Sequence, residues 1–156
     1  MSTLTSHSPS QILVKALIDA EHGVEVPVIG TTMPDWACYM NYMPDSEHEA
    51  NNILCIFDTA GLIDGRSQRA REIIDHPGWQ VRLRSKNYSI GYAKATAIAK
   101  FFDNVLRLEV ILEEITYRVQ GIHRTGTPIP IGQYPNDRKR REQFSLNGTC
   151  TISQIS

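Results

Sequence analysis

The chain has little of what holds metals, disulfides or membranes. Cysteine occurs three times, as Cys38, Cys55 and Cys150, an odd count with no CxxC spacing, so neither a disulfide scaffold nor a zinc cluster is expected and a reducing compartment fits. The five histidines, His7, His22, His48, His76 and His123, form no HxH or HxxxH pair, the spacings that bring two imidazoles to one metal. No apolar run approaches the roughly 18 residues of a membrane span. The polar stretch over residues 1–10 lacks the basic-then-apolar order of a signal peptide, so no membrane contact and synthesis in the cytoplasm are expected. A net charge of −1 gives no overall electrostatic footprint for nucleic acid. The phosphate-loop order GxxxxGK[ST] is missing, GLIDGR over residues 61–66 being no match, and so is a nucleophile elbow. These gaps disfavour a small α/β hydrolase or a nucleotide-binding protein.

The acidic residues do not repair them. Asp58 and Asp64 flank a glycine without a companion histidine, while Glu113 and Glu114 are adjacent at an expected strand start and so face opposite sides. Cys55 lies in an apolar strand and Cys150 on the apolar face of another, which describes inert thiols. No catalytic residue, cofactor or metal is expected.

What is present is ordinary globular material. With 156 residues, 41% hydrophobic and 21% charged, the chain suits a single domain over residues 1–156. Ser8 can cap a first helix, Pro9 sits where a missing N–H costs nothing, Ile12, Leu13, Leu17 and Ile18 recur at helical spacing, and Gly23 ends it. Residues 24–29 and 36–43 read as short extended segments. Ile53, Leu54, Cys55, Ile56 and Phe57 make a strand buried on both faces and central in a sheet. Residues 59–78 turn polar and glycine-punctuated and read as a long loop, with a short helical turn over residues 69–75.

Trp79, Val81 and Leu83 alternate with Gln80, Arg82 and Arg84, the signature of a strand with one wet face. Asn87 caps a second helix whose stripe would be Ile90, Ala93, Ala97, Ile98, Phe101, Phe102 and Val105, opposed by Lys94, Thr96, Lys100 and Asp103. Ile115, Tyr117 and Val119 start a strand in which Gly121 marks a bulge before Ile122, and Pro128 and Pro130 close it. After a second long loop over residues 125–142, Phe144, Leu146, Cys150 and Ile152 alternate in a half-buried last strand. The order predicts an α+β fold: a mixed, mostly antiparallel β-sheet with two main helices packed on one face.

Two stretches carry a resemblance. Residues 79–102, WQVRLRSKNYSIGYAKATAIAKFF, place a strand, an arginine and polar turn, a tyrosine and an alanine-rich helix in succession. Residues 115–152, ITYRVQGIHRTGTPIPIGQYPNDRKRREQFSLNGTCTI, follow a strand with a proline-glycine loop, charged residues and a Phe-Ser-Leu-Asn strand. Together they resemble the minor capsid and tail-terminator proteins of tailed phages, of the lambda type. The order of the N-terminal helix and the Phe-Asp-Thr strand end at residues 57–59 agrees. The resemblance implies a virion protein of the tail or neck that acts without a reaction. It would form a homo-oligomeric, hexameric ring on the last turn of the tail tube, touching the tail tube protein below and the head-completion protein above, with DNA passing through the lumen. A head-completion or connector protein of the same neck is the neighbouring reading.

Two candidate surfaces follow. Arg138, Lys139, Arg140 and Arg141 form a basic run that either is a solvated loop or meets acidic side chains of a neighbouring subunit or DNA phosphates, and a ring would multiply its charge. Where the family usually has one arginine here, this chain has the whole run. Met33, Trp36, Tyr39, Met40, Tyr42 and Met43 make an amphipathic patch of the residue types enriched at interface centres. The loop over residues 59–77 is the second interface candidate.

Overall fold

A computed structural model describes residues 5–27, 34–44, 51–66, 73–133 and 137–155. Helix α1 (Pro9–Asp19) is followed by β1 (Ala37–Met40), β2 (Ile53–Arg66), β3 (Ile73–Ser85), helix α2 (Tyr88–Asn104), β4 (Leu106–Leu112), β5 (Ile115–Arg124), β6 (Ile129–Gln133) and β7 (Glu142–Gln154). The seven strands form one sheet in the order β1-β2-β3-β7-β5-β4, with β6 also on β7. Only the β1–β2 pair is parallel. Both helices feed one hydrophobic core, in which Ile12, Leu13 and Leu17 of α1 and Ala95, Ile98 and Phe102 of α2 join Leu54, Ile56, Trp79, Val81, Val119, Phe144 and Leu146 of the sheet. This is the expected α+β arrangement.

Strand β7 is the hub. One of its edges takes β3 over residues 142–149, and the other takes β6 over residues 142–145 and β5 over residues 148–154. Helix α1 packs on β1, β2, β3 and also β4, the two ends of the strand order. An 11-residue helix is about 16 Å long at ~1.5 Å per residue, shorter than the ~24 Å that six strands ~4.8 Å apart would span if flat. The sheet therefore curls around α1.

The caps behave as their chemistry dictates. The Ser8 side chain accepts from the Gln11 N–H while the Gln11 side chain accepts from the Ser8 N–H, a capping box behind Pro9. The helix ends before Gly23, because Glu21 takes the left-handed conformation at φ 60°. The His22 N–H then reaches the Leu17 carbonyl and the Glu21 N–H that of Ile18, the pairing of a Schellman end. Asn87 caps α2 by accepting from the Ile90 N–H.

Several expectations change. Residues 59–66 and 73–78 are strand rather than loop: β2 and β3 keep pairing to Arg66 and Ile73 through two irregularities, and of the helical turn expected over residues 69–75, residues 73–75 are strand and residues 69–72 lie outside the described residues. Residues 125–142 contain β6, where Pro130 is tolerated because an edge strand has a side with no ladder to donate to. The strand over residues 53–57 is buried on both faces, yet β2 lies next to the edge strand β1 rather than at the centre. Residues 24–29 give a single bridge, Val24 to Ala37, with residues 28–29 outside the described residues. Arg84 is not on a wet face; it is buried and donates from Nη2 to the Pro44 carbonyl at 2.6 Å.

Helix α2 turns a different stripe inward. Gly91, Ala95, Ile98, Ala99 and Phe102 are buried, while Ile90 and Ala93 are exposed. Small residues win because the helix lies close on β7: a Cβ at Gly91 would come within 2.5 Å of the Phe144 ring. The bulge at Gly121 is present, between Val119 and Gly121 against β7, and it returns Ile122 to the face of Tyr117 and Val119, which are all buried.

Candidate assembly surfaces

The basic run does not act as one unit. Residues 137–140 form a tight turn, closed by the Arg140 N–H on the Asp137 carbonyl at 3.0 Å, with Arg140 left-handed at φ 49°. The Asp137 carboxylate accepts from the backbone of Lys139 and Arg141 and from the Arg141 guanidinium. These contacts, led by the Arg141 guanidinium, pull the carboxyl down to about 2. Arg141 is thus a buried structural cation, and its place in the surface candidate is corrected: an arginine sequestered on its own subunit's carboxylate is not available to a partner. Arg138 and Arg140 are exposed and Lys139 is half-buried.

The aromatic patch also divides. Trp36 packs against the core with Lys94 over its ring at 5.3 Å. Tyr39 and Tyr42 meet edge to face at 6.4 Å, with Tyr39 and Met43 half-buried and Met40 and Tyr42 exposed. Met33 lies outside the described residues. A groove of about 540 Å³ runs beside this patch, lined by α1 (Gln11, Val14), Met40 and Leu112, where the curled sheet brings β1 toward β4.

Two further surfaces stand out, the first expected as a loop and the second missed by sequence reasoning. The first is an arm. Beyond Gly78, β3 loses its β7 partner while its pairing with β2 continues; Cys150 Sγ on the Pro77 carbonyl and His76 Nδ1 with Thr151 Oγ1 at 3.0 Å tie its root to the body. At its root the strands press together so closely that a Cβ on Gly61 would sit 1.9 Å from the His76 carbonyl oxygen. Leu62 and Ile63, on the arm, are 65% and 72% exposed. Glycines and polar residues broke the alternation that would have revealed this strand.

The second is strand β4. Leu108, Val110 and Leu112 face inward, whereas Leu106 and Ile111 are 79% and 60% exposed. It pairs with β5 alone, so its other edge is free among the described residues. Its hairpin turn is Glu113 and Glu114, both left-handed at φ 46° and 70°. The expectation of a strand start there is corrected: the alternation at residues 106–112 was a legible signal, but a turn without asparagine or glycine hid the hairpin. Glu113 accepts from or pairs with His7 Nε2 at 3.2 Å, and His7 Nδ1 meets the buried Tyr117 hydroxyl, which ties the segment before α1 to this turn.

At the N-terminus of α1 the Asp58 carboxylate accepts from the Ser10 N–H, the Ser10 hydroxyl and the Asn41 amide. All of its acceptor capacity seen here joins α1, β2 and the turn after β1, a structural rather than a catalytic task. Among the described residues no group of three or more histidine, cysteine or acidic side chains is placed to hold a metal, and no helix is long and apolar enough to cross a membrane. No curated protein matches the chain significantly. A family described as bacteriophage tail terminator protein matches residues 18–152. That span takes in β1 to β6, all of α2 and β7 as far as Ile152, so the chain belongs to the bacteriophage tail terminator family and is a structural protein of a phage tail.

Proposed function

We propose that the protein caps the tail tube as a homo-oligomeric ring, of six copies, and joins the tail to the head. It acts by shape and self-association, without cofactor or reaction, with the tail tube protein on one side, the head-completion protein on the other and DNA in the lumen. The observation that carries this reading is where apolar side chains remain wet. Leu62 and Ile63 on the arm, Leu106 and Ile111 on β4, and Ile129 and Ile131 on β6 stand on margins of the sheet, the places where a copy or partner can add to a strand. The exposed Arg138 and Arg140 give each copy a cationic point, and repetition around an axis would turn it into a collar.

Electron microscopy of particles lacking this protein tests the role. Overlong or headless tails are the expected result; full-length tails with tailless heads leaking DNA would move the protein to head completion and overturn the terminator reading. Replacing Arg138 and Arg140 with Ser is expected to impair ring formation or joining. Normal assembly and infectivity of that variant would leave the turn as a solvated loop.

A further inference from the structure

We propose that the β2–β3 arm of one subunit docks along the free β4 edge of the next, so that the ring closes through strand contacts between copies of this chain. This rests on the ring reading above and names its contact.

The arm is the element in need of a cover. Leu62 and Ile63 are successive residues of β2, paired with His76 and Asp75, and both are exposed, so the arm carries a wet apolar side chain on each of its faces. A two-stranded ribbon is marginal in water by itself. Strand β4 presents the complement: a row of backbone donors and acceptors with no strand opposite, bordered by Leu106 and Ile111. Residues 60–66 and β4 each extend about 23 Å at ~3.3 Å per residue, so one can lie along the whole of the other.

The chemistry of the edge selects the occupant. Its carboxylate, Glu109, is tied to Arg118 of β5 at 3.2 Å, and Arg107 is a lone cation on the strand, so the edge carries no cationic track for a phosphate backbone. An extended segment that carries exposed apolar side chains is what fits, and the arm supplies one with Leu62 and Ile63. The two surfaces differ, and they sit on strands separated in the sheet by β7 and β5. The contact is therefore head-to-tail, the type that propagates around an axis and can close into a ring.

Cysteine cross-linking on tail tubes tests the pairing. All three native cysteines are buried, so thiols introduced by Ile63→Cys and Ile111→Cys are the ones a short bis-maleimide will find. The double variant, assembled on tubes, is expected to give a ladder of covalent oligomers up to the full ring, whereas each single variant stops at dimers. Rings visible by electron microscopy with a double variant that also stops at dimers would overturn the arm contact and leave the ring reading standing. Wild-type protein that forms no ring on tubes would overturn the ring reading, and this contact with it. As a second arm, Leu62→Asp with Ile63→Asp alters exposed positions; it is expected to keep the wild-type circular dichroism spectrum and lower ring affinity by about tenfold or more. Unchanged ring yield in that variant would overturn the proposal.

Discussion

Arg141 grips Asp137 with two side-chain hydrogen bonds, Nε to Oδ2 at 2.9 Å and Nη2 to Oδ1 at 3.1 Å, in a pair whose side chains are only 2% and 7% exposed. The folded carboxyl is drawn down to about 2, chiefly by the Arg141 guanidinium, below the ordinary carboxylate value it regains on unfolding. The unfolded chain therefore binds the proton more tightly. Stability from this pair is complete above pH ~4 and is lost as pH falls through about 2. Asp137→Asn is expected to cost about 2–3 kcal/mol at pH 7 and to flatten the acid limb of the curve, measured by urea unfolding from pH 7 to pH 2. An unchanged acid limb would show that the pair forms equally in the unfolded chain.

Glu21 occupies the left-handed end of α1 at φ 60°, where a β-carbon costs roughly 1 kcal/mol and glycine costs nothing. Glu21→Gly is expected to raise the melting temperature by about 2–4 °C. A fall would mean that the glutamate side chain stabilises the end more than its backbone strains it.

Asp58 is the clamp between α1 and β2, accepting three hydrogen bonds from Ser10 and Asn41. Asp58→Ala is expected to cost about 1–3 kcal/mol, with hydrogen exchange accelerating first in the opening turn of α1. Loss spread evenly over all amides would contradict a local clamp.

Burial pushes the thiols of Cys38 and Cys150 up to about 12 and that of Cys55 up to about 11. All three are expected to resist a disulfide reagent at pH 8 in the folded protein and to react stoichiometrically in denaturant. Rapid labelling of the folded chain would refute the burial and disqualify the cross-linking design above.

Much of this fold was legible where one physical signal dominated. Ser8 and Pro9 announced α1, the alternation at residues 79–83 announced β3, and Gly121 marked its bulge, because cap chemistry and a two-residue period are local. Helix α2 was found but rotated in the reading, since hydrophobicity favours Ile90 while the close approach of Phe144 favours Gly91, and closeness is a tertiary fact. The surfaces were harder. An arm strand looked like a loop because glycines and polar residues interrupt its apolar period, and β4 was hidden by a glutamate pair in a turn that usually takes asparagine and glycine. The basic run looked uniform, yet one of its members, Arg141, is consumed by a carboxylate four residues away.

The strand that borders β3, β5 and β6 is also the last one in the chain order. Among the pairings of the fold, those of this strand are the ones that join the group β1, β2 and β3 to the group β4 and β5. The closed core thus depends on pairings between residues far apart in the chain, the kind that form slowly and reward folding only once the whole sheet is joined.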